Sequence, residues 1–313
     1  MIQRLARWLS GIGLNWFYSD IRITGLDRIP LDGPILVAMN HQNALVDAML
    51  ALHTVPRELR ITAKATLGES LAGTALMKAA DIIPLSRASD SVAAPDPIRN
   101  RHSFQAIIDE LRTGGAVLVF PEGKSHNDPK LAPLKTGLAR AALRAREVGI
   151  HGIRIIPVGT TFADKAEPDT AVAVQIGDAI SMDEWVGDDA HRLTDAIAAR
   201  LEMVSFTGDV STPHSPVQVH QDILIRLAAW WGRIMHEIPL RVARRQAVRL
   251  SADVGEPAMY TMTLGLAAIL VSYLIEVSII WALFGWIVAL IFLVSLGTGA
   301  YWAAYTEHFP ERS

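Results

Sequence analysis

Between Met259 and Tyr305 the chain carries a single formally charged side chain, Glu276. This run is about twice the roughly 20 apolar residues that one membrane-crossing helix needs, so two helices fit it better than one. A hairpin is expected, with helices at about 259 to 275 and 279 to 301 and Glu276 in the turn, where a carboxylate stays hydrated. Both ends of the run would then lie on one side of a membrane. The competing reading is a buried helical pair in a water-soluble fold. The run is nearly uncharged on every face, and not only along one stripe, which favours the membrane.

The flanking segments extend this expectation. Arg241, Arg244, Arg245 and Arg249 fall at helical spacings and line one face. Such a stripe suits anionic lipid headgroups and marks the cytoplasmic side, the plain alternative being a solvated helix face. Residues 221 to 236, with Leu224, Leu227, Trp230, Trp231 and Ile234, read equally as a second interfacial element or as a cover for the core. The N-terminus, Met1-Ile2-Gln3-Arg4-Leu5-Ala6-Arg7-Trp8-Leu9, lacks the uninterrupted apolar core and cleavage site of a secretory signal. With Trp16, Phe17 and Tyr18 following, it reads as an interfacial helix with aromatic anchors.

Composition removes several classes of function. The net charge of -3 comes from 29 basic and 32 acidic residues, which speaks against a nucleic-acid partner. With no cysteine, disulfides, thiolate metal sites and a cysteine nucleophile are excluded.

Between residues 20 and 205, short apolar runs of β type alternate with helical ones, the pattern of an α/β domain. Strands are expected at 34 to 39, 82 to 85, 116 to 120, 153 to 158 and 171 to 176. Helices are expected at 44 to 53, 103 to 113, 137 to 148 and 190 to 203. Gly114-Gly115 ends one helix before its strand. Residues 90 to 100 read as a mobile surface loop, and 208 to 215 as the linker leaving the catalytic domain. The expected division is an interfacial helix over 1–23, a catalytic domain over 24–212, Arg-rich juxtamembrane helices over 213–256, two transmembrane helices over 257–305 and a tail over 306–313.

Within the α/β region, His41 follows directly on a buried strand and Asp47 lies early in the next helix. The carboxylate there could fix the imidazole tautomer and stabilise its protonated form, so that His41 takes a proton from an alcohol as general base. With 10 histidines and 32 acids in 313 residues, about one such pair arises by chance, so a structural strand-end histidine is the competing reading. Other schemes fail on inspection. Gly68-Glu69-Ser70-Leu71-Ala72-Gly73 misses the nucleophile elbow by one residue. Leu118 stands where the leading glycine of a phosphate loop ending in Gly123-Lys124-Ser125 should be. His236-Glu237-Ile238-Pro239-Leu240 lacks the second histidine of a zinc protease, and its proline is expected to break the helix required.

Four ordered blocks carry a resemblance. Asn40-His41 with Asp47, Ile83-Pro84-Leu85-Ser86-Arg87, Phe120-Pro121-Glu122-Gly123-Lys124-Ser125-His126 and Ile155-Ile156-Pro157-Val158-Gly159 together resemble the glycerolphosphate acyltransferase family. The resemblance covers roughly residues 24 to 165. It implies a mixed β-sheet flanked by helices, and a reaction in which the hydroxyl of a glycerol phosphate attacks the thioester of acyl-CoA or acyl carrier protein. These are co-substrates, so no permanently bound cofactor, metal or covalent acyl-enzyme is implied. His41 matches the family's base and Asp47 its orienting acid. Arg87 matches the arginine holding the acceptor phosphate, where a forked guanidinium suits the geometry, with a surface ion pair as the plain alternative. Glu122 and Gly123 match the acceptor-binding loop, Glu122 orienting either a hydroxyl or the loop itself. Lys135 could add a positive contact to the phosphate or be merely solvated. Pro157 matches a block read as pocket wall.

Five residues separate His41 from Asp47 where most of the family has four. Together with Ser125-His126-Asn127-Asp128-Pro129 and Leu134-Lys135-Thr136-Gly137, this is similar to the subset acting on glycerol-3-phosphate or dihydroxyacetone phosphate, and shifts the expected acceptor away from lysophosphatidic acid. Lys124 departs from the small hydroxyl residue frequent after the glycine. The resulting expectation is an acyltransferase making phospholipid precursors at the cytoplasmic face, with membrane phospholipids as partners. A transacylase using a phospholipid donor without coenzyme A, and a catalytically silent lipid-binding protein, remain open at this stage.

Overall fold

The computed structural model describes residues 2–65, 74, 77–78, 81–85, 97–126, 128, 130–167, 170–205, 210, 223–250 and 257–308. These divide into a unit made mainly of residues 22–162 and 172–209, and a second dominated by residues 210–313 that also takes in residues 13–21 and 163–171.

The first unit is built on a mixed sheet. Its strands are β1 (Tyr18–Thr24), β2 (Ile35–Met39), β3 (Arg60–Lys64), β4 (Ile83–Leu85), β5 (Ala116–Val119), β6 (Arg154–Phe162), β7 (Thr170–Ile176) and β8 (Ile180–Ser181). They lie in the order β1-β7-β6-β2-β5-β3-β4, with β8 also pairing with β6. β2 sits centrally, parallel to β5 on one side, with Ile35 opposite Ala116, and to β6 on the other, with Ile35 opposite Arg154. β3 is parallel to β5 and to β4, whereas β7 and β8 run antiparallel to β6.

A central parallel strand is covered on both faces, so it should be apolar at every position, and all five residues of β2 are buried. The pleat then sorts them by parity. Leu36 and Ala38 join Val117, Val119 and Ile155 in one core, packed against α3 (Pro97–Arg112), α4 (Gly137–Glu147) and α5 (Ala190–Val204). Ile35, Val37 and Met39 point to the opposite face and are equally buried. α2 (Ala44–Thr54) follows β2 and buries Val46, Leu50 and Ala51. Asp189 caps α5, its carboxylate accepting the His191 and Arg192 N–H groups.

The structure departs from the sequence reading at several points. The N-terminal helix α1 (Ile2–Phe17) gives way at Tyr18 to a strand, where helix had been expected through residue 23. The alternating, β-branched stretch Ile21-Arg22-Ile23-Thr24 suits a sheet edge better than a helix. α3 begins at Pro97, inside the expected loop, because proline is pre-organised for the first turn of a helix. Of the expected linker 208–215, only Val210 is among the described residues.

In the second unit, α6 (Ile223–Leu250), α7 (Pro257–Phe284) and α8 (Trp286–His308) pack on one another. α6 runs through Pro239, so the expectation that this proline breaks the helix is corrected. Arg241, Arg244, Arg245 and Arg249 are all exposed on it, and Arg241 pairs with Glu237 at 2.5 Å. Gly232 of α6 lies so close to α8 that a methyl group there would sit 2.0 Å from the Gly299 carbonyl oxygen. His236 Nε2 meets the Tyr273 hydroxyl of α7 at 2.6 Å.

The expected turn at Glu276 is also corrected. α7 continues past Glu276, whose carboxylate accepts from Ser272 Oγ one turn earlier. The helix ends at Phe284, and Gly285 takes φ 85, a left-handed conformation that glycine adopts without a Cβ clash, before α8 begins at Trp286. Tyr260–Phe284 is long and apolar enough to cross a membrane by length and composition, and Trp286–Trp302 is a shorter apolar helix.

Candidate active site

Parallel strands deliver the loops that follow them to the same edge of a sheet, and in α/β folds that edge is where ligands bind. β2 and β5 do this with the two blocks singled out above. His41 stands two residues past the end of β2, and Phe120 directly follows β5. β4, the strand before Ser86 and Arg87, belongs to the same parallel set, but Arg87 itself lies outside the described residues.

His41 Nδ1 lies 2.9 Å from Asp47 Oδ2, and the Asp47 side chain is wholly buried. The same Oδ2 accepts the Asn43 N–H at 2.7 Å. An acceptor at Nδ1 fixes the proton there and leaves Nε2 with its lone pair for an incoming hydroxyl. The ring plane is set by Phe120, which stacks on it with centroids 4.0 Å apart and an interplanar angle of 17°.

The turn between the two residues explains how a five-residue spacer still closes the pair. Ala44 adopts φ 42 at the start of α2, a left-handed conformation uncommon for a residue with a Cβ. The Val46 N–H then bonds to the Asn43 carbonyl at 2.9 Å. A left-handed residue at the helix start therefore takes up the extra length.

On the other side, Asn40 ties the end of β2 to β6. Its Oδ1 accepts the Thr160 N–H at 2.7 Å and the Thr160 hydroxyl at 2.9 Å, while its Nδ2 donates to the Thr160 carbonyl at 3.0 Å. Both residues are fully buried. At the preceding residue, a Cβ on Gly159 would fall 2.0 Å from the Val204 carbonyl oxygen, so only glycine lets the end of α5 approach β6 here.

Glu122 is the third fixed point. Its buried carboxylate accepts the His41 N–H through Oε1 at 2.6 Å, and the Ala132 N–H at 2.7 Å and the His126 ring through Oε2. Both oxygens thus serve the loop. Gly123 takes φ 80, and Lys135 Cγ would lie 3.5 Å from a Cβ placed on it. The Lys135 N–H bonds to the Pro121 carbonyl at 2.7 Å, which lays the Lys135 segment against the Glu122-Gly123 turn. His41, Asp47, Glu122, Gly123 and Lys135 are therefore brought together on one edge. Thr160, Ala132 and the stacking role of Phe120 were not singled out from the sequence, since the Thr160 partner is 120 residues distant, Ala132 contributes only its backbone N–H, and the stack depends on ring orientation. His126 was visible only as part of a block, four residues after Glu122.

The site thus sets a His–Asp pair against a Phe-Pro-Glu-Gly turn at the edge of a mixed sheet. The Acyltransferase family model matches residues 20–161. This match, with the relatives below, supports the glycerolphosphate acyltransferase family for that stretch. Among curated relatives, glycerol-3-phosphate O-acyltransferase 2 of Saccharomyces cerevisiae is 32% identical over 94 residues, 30% of this chain and 13% of the relative. An uncharacterised acyltransferase of Schizosaccharomyces pombe is 20% identical over 285 residues, 63% of this chain and 42% of its own length. The chain thus spans less than half of either relative. The crystal structure of the 1-acyl-sn-glycerophosphate acyltransferase PlsC of Thermotoga maritima shares the fold, with a TM-score of 0.50 at 20% identity over 64% of this chain and 77% of PlsC.

Proposed function

We propose that the protein transfers a fatty acyl group from acyl-CoA or acyl carrier protein to a hydroxyl of a glycerol phosphate-type acceptor, at a membrane surface. The observation that carries this reading is the 2.9 Å contact between His41 Nδ1 and buried Asp47, which leaves Nε2 facing away from its partner and free to act as a base. Nε2 takes the acceptor hydroxyl proton as the oxygen attacks the thioester carbonyl, and Asp47 stabilises the imidazolium formed. Collapse of the tetrahedral intermediate breaks the C–S bond. The leaving thiolate then recovers the proton from Nε2, giving ester and thiol with His41 restored.

Arg87 is assigned to the acceptor phosphate by its place in the second family block, and Lys135, laid against Gly123, adds positive charge beside the same turn. Glu122 acts in this reading by holding the loop that frames the acceptor. The 32% identity to a glycerol-3-phosphate O-acyltransferase and the five-residue spacer favour glycerol-3-phosphate over lysophosphatidic acid.

The membrane reading rests on the helical unit. On α7, Leu270, Leu274, Trp281 and Leu283 are each more than half exposed, as are Ile291 and Val294 on α8, a surface that lipid satisfies and water does not. In this reading a hairpin turning at Gly285 returns both ends to one side, and the exposed arginines of α6, suited to anionic phospholipid, support assigning that side to the cytoplasm. The test is acyl transfer by the full chain in mixed micelles to a panel of glycerol-3-phosphate, dihydroxyacetone phosphate and lysophosphatidic acid. Transfer to one of these that His41→Ala abolishes is expected. Near-normal transfer by His41→Ala to every acceptor would overturn the assignment.

A further inference from the structure

His126 forms with Glu122 a second pair of the kind that His41 forms with Asp47: an imidazole against a buried carboxylate. The two pairs interlock through the main chain. Glu122 Oε1 accepts the His41 N–H at 2.6 Å, and the His126 N–H donates to the His41 carbonyl at 3.2 Å. The peptide groups on both sides of the His41 Cα are therefore gripped by the second pair, one by its carboxylate and one by its histidine backbone.

The chemistry of Glu122 makes its ring partner consequential. A carboxylate with no exposed side-chain surface must be supplied with donors, or the chain around it rearranges. Glu122 has three: two backbone N–H groups, from His41 and Ala132, and the His126 ring nitrogen Nε2. Of these, only the His126 contact comes from a side chain and depends on residue type. It meets Oε2 beside the Ala132 N–H, from within the same loop and four residues on, and so adds to what holds the torsion of the carboxylate. The other ring nitrogen of His126, Nδ1, is itself buried, so His126 is not placed to take a substrate proton.

We infer that His126 is a positioning residue for the acyl transfer: its imidazole orients Glu122, and Glu122 in turn holds the His41 peptide so that the base keeps its angle to Asp47 and to the cleft. This rests on the reading of His41 as the base. Displacement of a reacting group by about 1 Å costs on the order of 100-fold in rate, which sets the size of effect to look for.

The test compares His126→Leu, which removes the donor at similar bulk, with His126→Gln, whose amide nitrogen can stand where Nε2 does. Both are made in the full chain in detergent micelles. His126→Leu is expected to lower kcat by about 30- to 100-fold with KM for donor and acceptor within about threefold, and His126→Gln to recover kcat to within about fivefold of wild type. Selective 15N-histidine labelling supplies a readout that needs no turnover. The His41 ring signals should shift in His126→Leu and stay near their wild-type positions in His126→Gln. If His126→Leu does not fold, His126→Asn replaces it, being polar but too short to reach Glu122, with the same expectations.

Wild-type kcat with unmoved His41 signals in the donor-less variant would overturn the inference. Equal losses in the Leu and Gln variants, or a loss confined to KM, would do so as well, the last by making His126 a substrate contact. Absence of transfer by the wild type would instead defeat the proposed function, and the His41 ring signals would still decide whether His126 positions that residue.

Discussion

Asp47 Oδ2 is shared between His41 Nδ1, at 2.9 Å, and the Asn43 N–H, at 2.7 Å. The oxygen that orients the His41 imidazole is thus itself oriented by the turn that separates the two residues. Replacing Asp47 with Asn keeps the size but puts the imidazole in competition for the wrong tautomer, as in serine hydrolases where the equivalent change is severe. Asp47→Asn is expected to lower kcat by on the order of 10³-fold with little change in the melting temperature. Steady-state turnover and circular dichroism of the purified variant check this.

Ala44 gives a second prediction. Its φ of 42 costs about 1 kcal/mol for a residue with a Cβ, and glycine adopts the same conformation without that strain. Ala44→Gly should leave acyl transfer within about twofold of wild type and not lower the melting temperature. Ala44→Val, β-branched in the left-handed region, should lower both. Thermal denaturation beside turnover separates the two outcomes.

The Asn40–Thr160 pair is expected to show graded losses. Thr160→Val removes one of three hydrogen bonds and leaves the backbone N–H still paired, at a cost of about 1 kcal/mol. Asn40→Ala leaves the Thr160 N–H and carbonyl buried without their partner, at about 2 to 5 kcal/mol. Denaturant midpoints of the two variants, followed by a tryptophan or far-ultraviolet signal, should rank in that order.

His53 near the end of α2 carries a pH prediction. Its pKa is lowered below 6.5, first by burial and then by the neighbouring Arg7 guanidinium. A histidine with a depressed folded pKa binds fewer protons folded than unfolded, so stability falls as pH drops below about 6.5. His53→Gln cannot take up that proton. Between pH 7 and 5 the variant should lose less melting temperature than wild type, and a parallel loss in both would exclude His53 as the source.

Much of the α/β unit was legible because its strands are short apolar runs and its helices are periodic. β2 reads as buried from Ile35 to Met39 with no structural knowledge. β3 does not, because Arg60-Ile61-Thr62-Ala63-Lys64 has a charge at each end and becomes a strand only by pairing with β4 and β5. The placement of Glu276 at a turn followed from the cost of a charge in hydrocarbon, but the helix runs on past it, with the carboxylate accepting from Ser272 one helical turn away. The break falls at Gly285, a residue equally visible in the sequence, where φ is left-handed. At the site, His41, Asp47 and the Glu122-Gly123 turn were visible as motifs. The Thr160 clamp was not, since nothing local marks a threonine as the partner of an asparagine 120 positions earlier.

The central place of β2 has a consequence for biosynthesis. The strand leading to His41 is made before its neighbours on the two sides, which begin at residues 116 and 154. Until β5 emerges, five consecutive apolar residues have no pairing partner on either edge, and until β6 follows one edge stays open. The His41 N–H likewise waits for Glu122. A nascent chain of this protein therefore carries an unfinished, aggregation-prone strand while the residues up to 154 are made, with late, non-local pairing as the step that completes the sheet.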